Sequence, residues 1–291
     1  MTGHVDTARA LRLDDGRRLR LVHGPIDVIV TAEGPPPARE AAFGRATEAA
    51  GPILAELAAE LPRLRRATGP APHGPVARRM ARAVARFAPA FLTPMAAVAG
   101  SVADHLCAAI LGTDQDDNQD HGLHRLIVNN GGDIALWQVM GQVTAAICDD
   151  PLTGRAGGRI TIPHDAGIGG LATSGWRGRS HSLGIADAVT VLARDAASAD
   201  AAATLLANAV DLPGHPAVSR RPARDLAPDS DLGARPVTTG VGPLSPADCA
   251  RAIDSGRALA QDFRARGLIR AAYLSLQDTR AIVAEKDLPD A

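Results

Sequence analysis

The stretch IVNNGGDIALW, residues 127–137, constrains this chain more than any other segment. Two apolar runs flank Asn129, Asn130, Gly131 and Gly132, and Asn-Gly between apolar strands predicts a type I′ turn, whose central residues need positive φ. The flanking runs then become antiparallel neighbours. The same glycines let a ligand approach the backbone, and Asp133 adds a carboxylate able to accept from ribose hydroxyls or ring nitrogens. A hairpin turn and one wall of a ligand pocket are both consistent with these residues.

The rest of the chain alternates strands and helices without strict βαβ repeats, which points to an α+β fold. Residues 17–34 read as a hairpin joined at His23-Gly24-Pro25 and stopped at Pro35 to Pro37. Ile53, Leu54, Leu57, Leu61 and Leu64 recur at helical spacing within 39–65, and 78–87 repeats the pattern with a basic face. Residues 93–112 form a small-residue segment leading into a helix, with Asp104 expected near the helix start. Asp114, Asp116 and Asn118 alternate as in a calcium loop, but Gln119 and Arg125 stand where glycine and glutamate are needed, so 113–122 reads as a solvated loop. Residues 138–150 suit a strand or a short helix, and strands follow at 159–163 and 186–193. Ser198 is the expected N-cap of a helix over 198–210. The Pro-rich stretch 212–245 is a surface excursion, an arm or a lid. Ser245 and Pro246 open a helix to about Arg266, followed by a strand at 272–276. A weak echo links VADHLCAAIL with SADAAATLLA, each placing Ala-Asp in an alanine-rich helix; it reads either as duplication or as a shared preference for carboxylates at helix starts. The whole chain, 1–291, is expected to form one domain.

Composition narrows the function. Aromatic residues at 2% and a formal net charge of −1 argue against a nucleic-acid surface. Cys107, Cys148 and Cys249 contain no CxxC pair, so neither a disulfide nor zinc is expected. An N-terminal signal core and an uncharged apolar run of about 18 residues are both missing, and a cytoplasmic protein without a membrane segment is the expectation.

Chemistry concentrates in three places. In 167–175, GIGGLATSG, four glycines with Thr173 and Ser174 suit either an anion cradle or a flexible turn. Arg177 and Arg179 follow, as guanidiniums able to neutralise a diphosphate or as solvated charges. Asp200 and Thr204 lie one helical turn apart, a partial oxygen set for Mg²⁺ or an ordinary helix-start pair. His121, His124 and His164 lack ligand company, and no serine-hydrolase elbow is present.

In order along the chain, MAAVAGSVAD (95–104), VNNGGDI (128–134), ATSG (172–175), ADAVTV (186–191) and ADAAAT (199–204) resemble the ApbE superfamily of FAD:protein FMN transferases. The resemblance is nearest to an uncharacterised ApbE-like branch marked by the Met95 segment and by Ser182-x-Gly184-x-Ala186-Asp187. It implies an α+β, T-fold-like architecture with mixed or antiparallel sheets, packed helices and internal duplication. It also implies FAD or FMN lying across the glycine-rich segments, and Mg²⁺ at the diphosphate. By motif match, Asp200 and Thr204 hold the metal, with Asp200 also catalytic. Gly131, Gly132 and Asp133 line the flavin site with Asn130, and Thr173, Ser174 and Gly175 lie beside it with Ala172. Met95 and Gly100 belong to the matching first segment, and Arg177 and Arg179 to the phosphate end. In the transferases the metal polarises the diphosphate while a protein threonine attacks phosphorus. This chain has Ala99-Gly100-Ser101 in place of their Lys-Gly-Tyr and lacks their His-x-x-Asp-Pro-x-Thr-Gly segment. The functional expectation is a flavin or phosphorylated-ligand binder acting at phosphorus. The alternatives are a non-catalytic flavin or nucleotide carrier and a structural homo-oligomer.

Overall fold

A computed structural model describes residues 8–112, 122–150 and 155–284. The expected acidic loop at 113–121, including Asp114, Asp116, Asn118 and His121, lies outside the described residues. Nine strands form one antiparallel sheet. They are β1 (Arg9–Arg12), β2 (Arg18–His23), β3 (Ile26–Glu33), β4 (Arg125–Asn130), β5 (Asp133–Gln138), β8 (Gly170–Ser174), β9 (Ala188–Ala193), β12 (Ala271–Leu276) and β13 (Thr279–Val283), adjacent in that order. Two ribbons stand apart from the sheet: β6 (Gln142–Asp150) with β7 (Arg155–Pro163), and β10 (Val218–Pro222) with β11 (Pro236–Val241).

The strand order contains a repeat. A hairpin β2-β3 is followed by helices α1 (Pro36–Leu64), α2 (Pro75–Ala85) and α3 (Val98–Leu111) and then by the hairpin β4-β5. A second hairpin-like pair β8-β9 is followed by α4 (Ala196–Ala209), α5 (Ala223–Leu226) and α6 (Pro246–Ala265) and then by β12-β13. Each half is strand, strand, helices, strand, strand, laid in sequence order across the sheet. The seam between them is the β5–β8 pair. Helices cover one sheet face, because alternate residues Leu19, Leu21, Val28, Val30, Leu126 and Val128 turn toward them and are at most 2% exposed. The ribbon β6-β7 lies over part of the other face, where Val143 and Ile160 pack with Leu136, Ile162 and Leu171.

The structure corrects several expectations. The hairpin turn is shifted by one residue: Asn130 pairs with Asp133, so the two central residues are Gly131 and Gly132, at φ 68° and 108°. Glycine meets the positive-φ demand at both positions, which frees both asparagines for side-chain work. Asp104 is not at its helix start but seven residues in. The N-cap of α4 is Asp195, whose carboxylate accepts from the Ser198 backbone N–H at 2.7 Å. Ser198 is therefore the third helical residue. The excursion 212–245 carries its own ribbon and short helix, held by Arg220 donating to Leu183 O (2.6 Å) and Thr238 Oγ1 donating to Gly184 O (2.8 Å). Strands β1 and β13 were not expected. The apolar stretch Pro94–Leu111 has a mean hydropathy of 1.5, yet it contains Asp104 and packs against α1, α2, α4 and strands β4 and β5 as a core helix.

The glycine-rich run is mainly a strand. A Cβ on Gly169 would meet Arg194 O at 2.3 Å, on Gly170 the Ala196 N at 2.1 Å, and on Gly175 the Asp187 O at 2.3 Å. Gly170 lets the start of α4 press onto β8, and Gly169 and Gly175 let the chain at either end of β9 come close. Gly170→Ala, whose new methyl would run into the Asp195–Ala196 peptide, is expected to lose about 3 kcal/mol in urea unfolding. Gly44→Ala, at an exposed helical position with open space around it, gains about 0.5–1 kcal/mol.

Candidate functional site

The seam opens where β5 and β8 part. Their ladder is two pairs long, Ile134 with Leu171 and Ala135 with Gly170, whereas β8 and β9 share five. Beyond Leu171 the strands diverge, and the Asp133 carboxylate fills the gap by accepting the Thr173 backbone N–H. The turn above it is built from the inside. Asn129 Oδ1 accepts the Gly132 N–H at 2.9 Å, and Asn130, 6% exposed, donates Nδ2 to Ala99 O at 3.1 Å. One asparagine fixes the turn and the other ties it to the start of α3. Gly132 faces open space, while the guanidinium of Arg179 lies over Gly131, 2.2 Å from where a Cβ would stand.

On the helical side, α3 and α4 exchange carboxylates. Asp104 of α3 accepts from Ala196 N (2.9 Å) and Ala197 N (2.8 Å), the first two N–H groups of α4. Asp200 of α4 accepts from Gly100 N (3.0 Å) and from the Ala99 N–H, in the first turn of α3. Those N–H groups have no intrahelical acceptor, so each helix supplies the cap that the other lacks. Gly100 makes the approach possible, since a Cβ there would sit 2.3 Å from Ala196 O.

Asp200 lies within electrostatic reach of two other carboxyls, Asp133 first and Asp104 more weakly. Burial pushes Asp104 up to about 6, against the pull of the Ala197 and Ala196 N–H groups. Burial pushes Asp133 up to about 7, opposed by the Thr173 N–H and by the charge of Arg179. Asp200 is driven well above the carboxylate range, first by burial and then by the negative charge of Asp133.

Other sequence-predicted residues have different places. Arg177 gives Nε to Asp187 at 2.9 Å and lies over the Trp176 ring, so its charge is spent at the latch of the following loop. Asp187 also accepts from Trp176 Nε1 (3.0 Å) and Gln277 N (2.6 Å). With Ser182, which receives the Gly184 N–H, the Ser-x-Gly-x-Ala-Asp motif acts as a brace across the second half. The side chain of Ala172 is buried in the second-half core and Met95 packs on the first-half core. Thr173 shares its hydroxyl with Thr190 at 2.8 Å. Ser174 is half-buried, and Thr204, one turn beyond Asp200, is likewise half-buried. Among the described residues no group of three or more His, Cys, Asp or Glu side chains is arranged around a metal position. Sequence reasoning missed Ala99 and Asn129 as site residues and the capping role of Asp104; the equal spacings Gly100–Asp104 and Ala196–Asp200 were the available signal.

A family model described as AbpE bacteria matches residues 10–283. The chain belongs to this ApbE-like family. Similar proteins include a UPF0280 protein of Methanopyrus kandleri, 38% identical over 135 residues, covering 46% of this chain and 48% of that one. Another, from Methanothrix thermoacetophila, is 37% identical over 145 residues, covering 47% and 52%. The chain thus spans about half the length of the curated relatives it matches. A crystal structure of the Pseudomonas stutzeri flavinyl transferase ApbE, apo form, aligns over 98% of this chain and 97% of its own at 13% identity and a TM-score of 0.39.

Because the folded protein holds protons on Asp133 and Asp104 that the unfolded chain has released, its stability should rise as pH falls from about 8 to about 5. Asp133→Asn keeps an acceptor for Thr173 but cannot ionise. It should exceed the wild type by about 1–2 kcal/mol at pH 8, a gap that shrinks toward pH 5. Urea titrations at several pH values measure both; wild-type stability rising toward pH 8 contradicts the assignment.

Proposed function

We propose that this protein binds a flavin nucleotide, FAD or FMN, or a related phosphorylated ligand at the β5–β8 seam, with Mg²⁺ beside its phosphates. The observation that carries the reading is the pair of carboxyls Asp133 and Asp200, buried together and beside the open Gly131–Gly132 turn and the Arg179 guanidinium. Membership in an ApbE-like family supports the flavin part.

The donor set fits a hard cation. Asp200 and the Thr204 hydroxyl, with Asp133 alongside, offer only oxygen, as Mg²⁺ prefers, and a cation here offsets the repulsion between the two carboxyls. Bound there, Mg²⁺ would supply Lewis-acid polarisation of a diphosphate oxygen. Asp200 must release its proton to take up that role, so ligand binding and proton release are linked. Arg179 draws the phosphate end to the turn by charge. The backbone beyond Leu171, freed from the β5 ladder, presents an edge against which a flat ring can lie. With FAD as ligand, the oxygen of an attacking hydroxyl, from water or a threonine of a protein acceptor, would bond to the flavin-side phosphorus as the diphosphate P–O bond breaks and AMP leaves, the hydroxyl proton passing to a carboxylate of the site.

A second reading is a flavin or nucleotide carrier without turnover. It is favoured by Ala99-Gly100-Ser101 standing where transferases have lysine and tyrosine, and by the two backbone N–H groups that already occupy Asp200. Purified protein mixed with FAD and Mg²⁺ separates the two. The transferase reading expects FMN or AMP release that Asp200→Asn abolishes and Thr204→Val lowers at least about tenfold. It further expects Arg179→Met to weaken FAD binding about threefold to tenfold. Tight FAD binding without release leaves the carrier reading, and no binding of flavin or adenine nucleotides defeats both.

A further inference from the structure

The sheet face turned away from the helices carries a cavity of 310 Å³. Its floor is Ile127 of β4, Ile134 and Leu136 of β5 and Leu171 of β8; its roof is β6, through Val143 and Ala145. Asn130 and Asp133, the adjacent pair of the same hairpin, turn to the opposite, helical face, so the sheet itself lies between this space and the acidic seam.

The roof is anchored. At the far end of β6, Asp149 is 1% exposed and accepts from Tyr273 OH (2.7 Å) and from Arg280 Nη2 (2.9 Å) and Nε (3.1 Å), on β12 and β13. Gly157 on β7 gives Asp149 its room, since a Cβ there would lie 1.9 Å from Asp149 Oδ1. Removing one partner of a buried ionic contact is costly, so the ribbon is held over the sheet. Small Ala145 faces branched aliphatic side chains across the gap, and the slot between two β layers is the result. Its size falls within the range of small-molecule sites, and its lining is aliphatic except for Asn129 and Thr144. Asn129 has its Oδ1 committed to the Gly132 N–H, so the group it brings to the cavity is the amide NH₂, a donor. Thr144 shares its hydroxyl with Thr161 across the ribbon.

We infer that this slot is a second small-molecule site, for a planar uncharged aromatic compound that carries one carbonyl acceptor for Asn129. Apolar rings gain from the aliphatic floor and roof, and the single donor fixes which end enters. Prodan, a naphthalene ketone whose emission shifts to the blue in apolar surroundings, is a suitable probe. Wild-type protein should bind it saturably with a micromolar dissociation constant and a blue-shifted emission. Ala145→Phe, which fills the slot from the roof, should weaken binding at least about tenfold, and Leu136→Phe repeats the test from the floor should the first variant not fold. Asn129→Asp keeps the acceptor for Gly132 but loses the donor, and should weaken binding about threefold to tenfold. Saturating FAD should leave Prodan bound. Absence of saturable binding, unchanged affinity in the folded slot-filling variants, or displacement by FAD each overturns a separate site; the first two leave FAD binding at the seam untouched, and the third moves FAD itself into the slot.

Discussion

The reciprocal capping of α3 and α4 is the constraint on which the rest of the molecule turns. Each helix begins without a capping side chain for the N–H groups concerned, and each receives a carboxylate from one turn inside its neighbour. This exchange works only at backbone contact distance, which Gly100 permits between the helices and Gly170 permits against β8. The two halves of the sheet are thereby drawn to one point. Asp200 and Asp133 lie close enough for each charge to be felt by the other, and backbone N–H groups from Gly100, Ala99 and Thr173 offset part of that repulsion.

That arrangement also leaves backbone unpaired at the seam. A sheet whose strands are paired along their full length has no backbone to offer. The β5–β8 ladder stops after two pairs, and the gap places Asp133 between a glycine turn and a free strand edge. The brace at Asp187 and the anchored ribbon keep the surroundings rigid, so the opening is a built feature of the fold.

Much of this was legible in the residues. The Asn-Asn-Gly-Gly turn, the opening hairpin, the final helix with its Ser245 cap and the α+β class follow from local rules of φ, alternation and capping. The errors share one cause. Asp104 and Ser198 were assigned to their own helix starts because carboxylates and hydroxyls favour such positions, and a partner in another helix is invisible at that range. The four glycines of 167–175 suited an anion cradle or a flexible turn, and neither reading contained the reason for Gly170, which is glycine because α4 arrives there. The echo between VADHLCAAIL and SADAAATLLA falls on α3 and α4, which occupy different positions in the two repeats. It reflects their shared capping geometry, while the duplication itself is written in strand order.

The sequence by itself determined the local pieces: where the chain turns, which faces are apolar, and which carboxylates and glycines stand four residues apart or side by side. Only the tertiary structure decided what those residues do. Asp200 serves a helix 100 residues away in the chain, Arg177 is taken by Asp187 while Arg179 reaches the turn, and Asn130 ties the turn to the start of α3. The physical reason is that a carboxyl's charge state and a donor's availability are set by burial and by neighbours brought together through packing, which no window of local sequence contains.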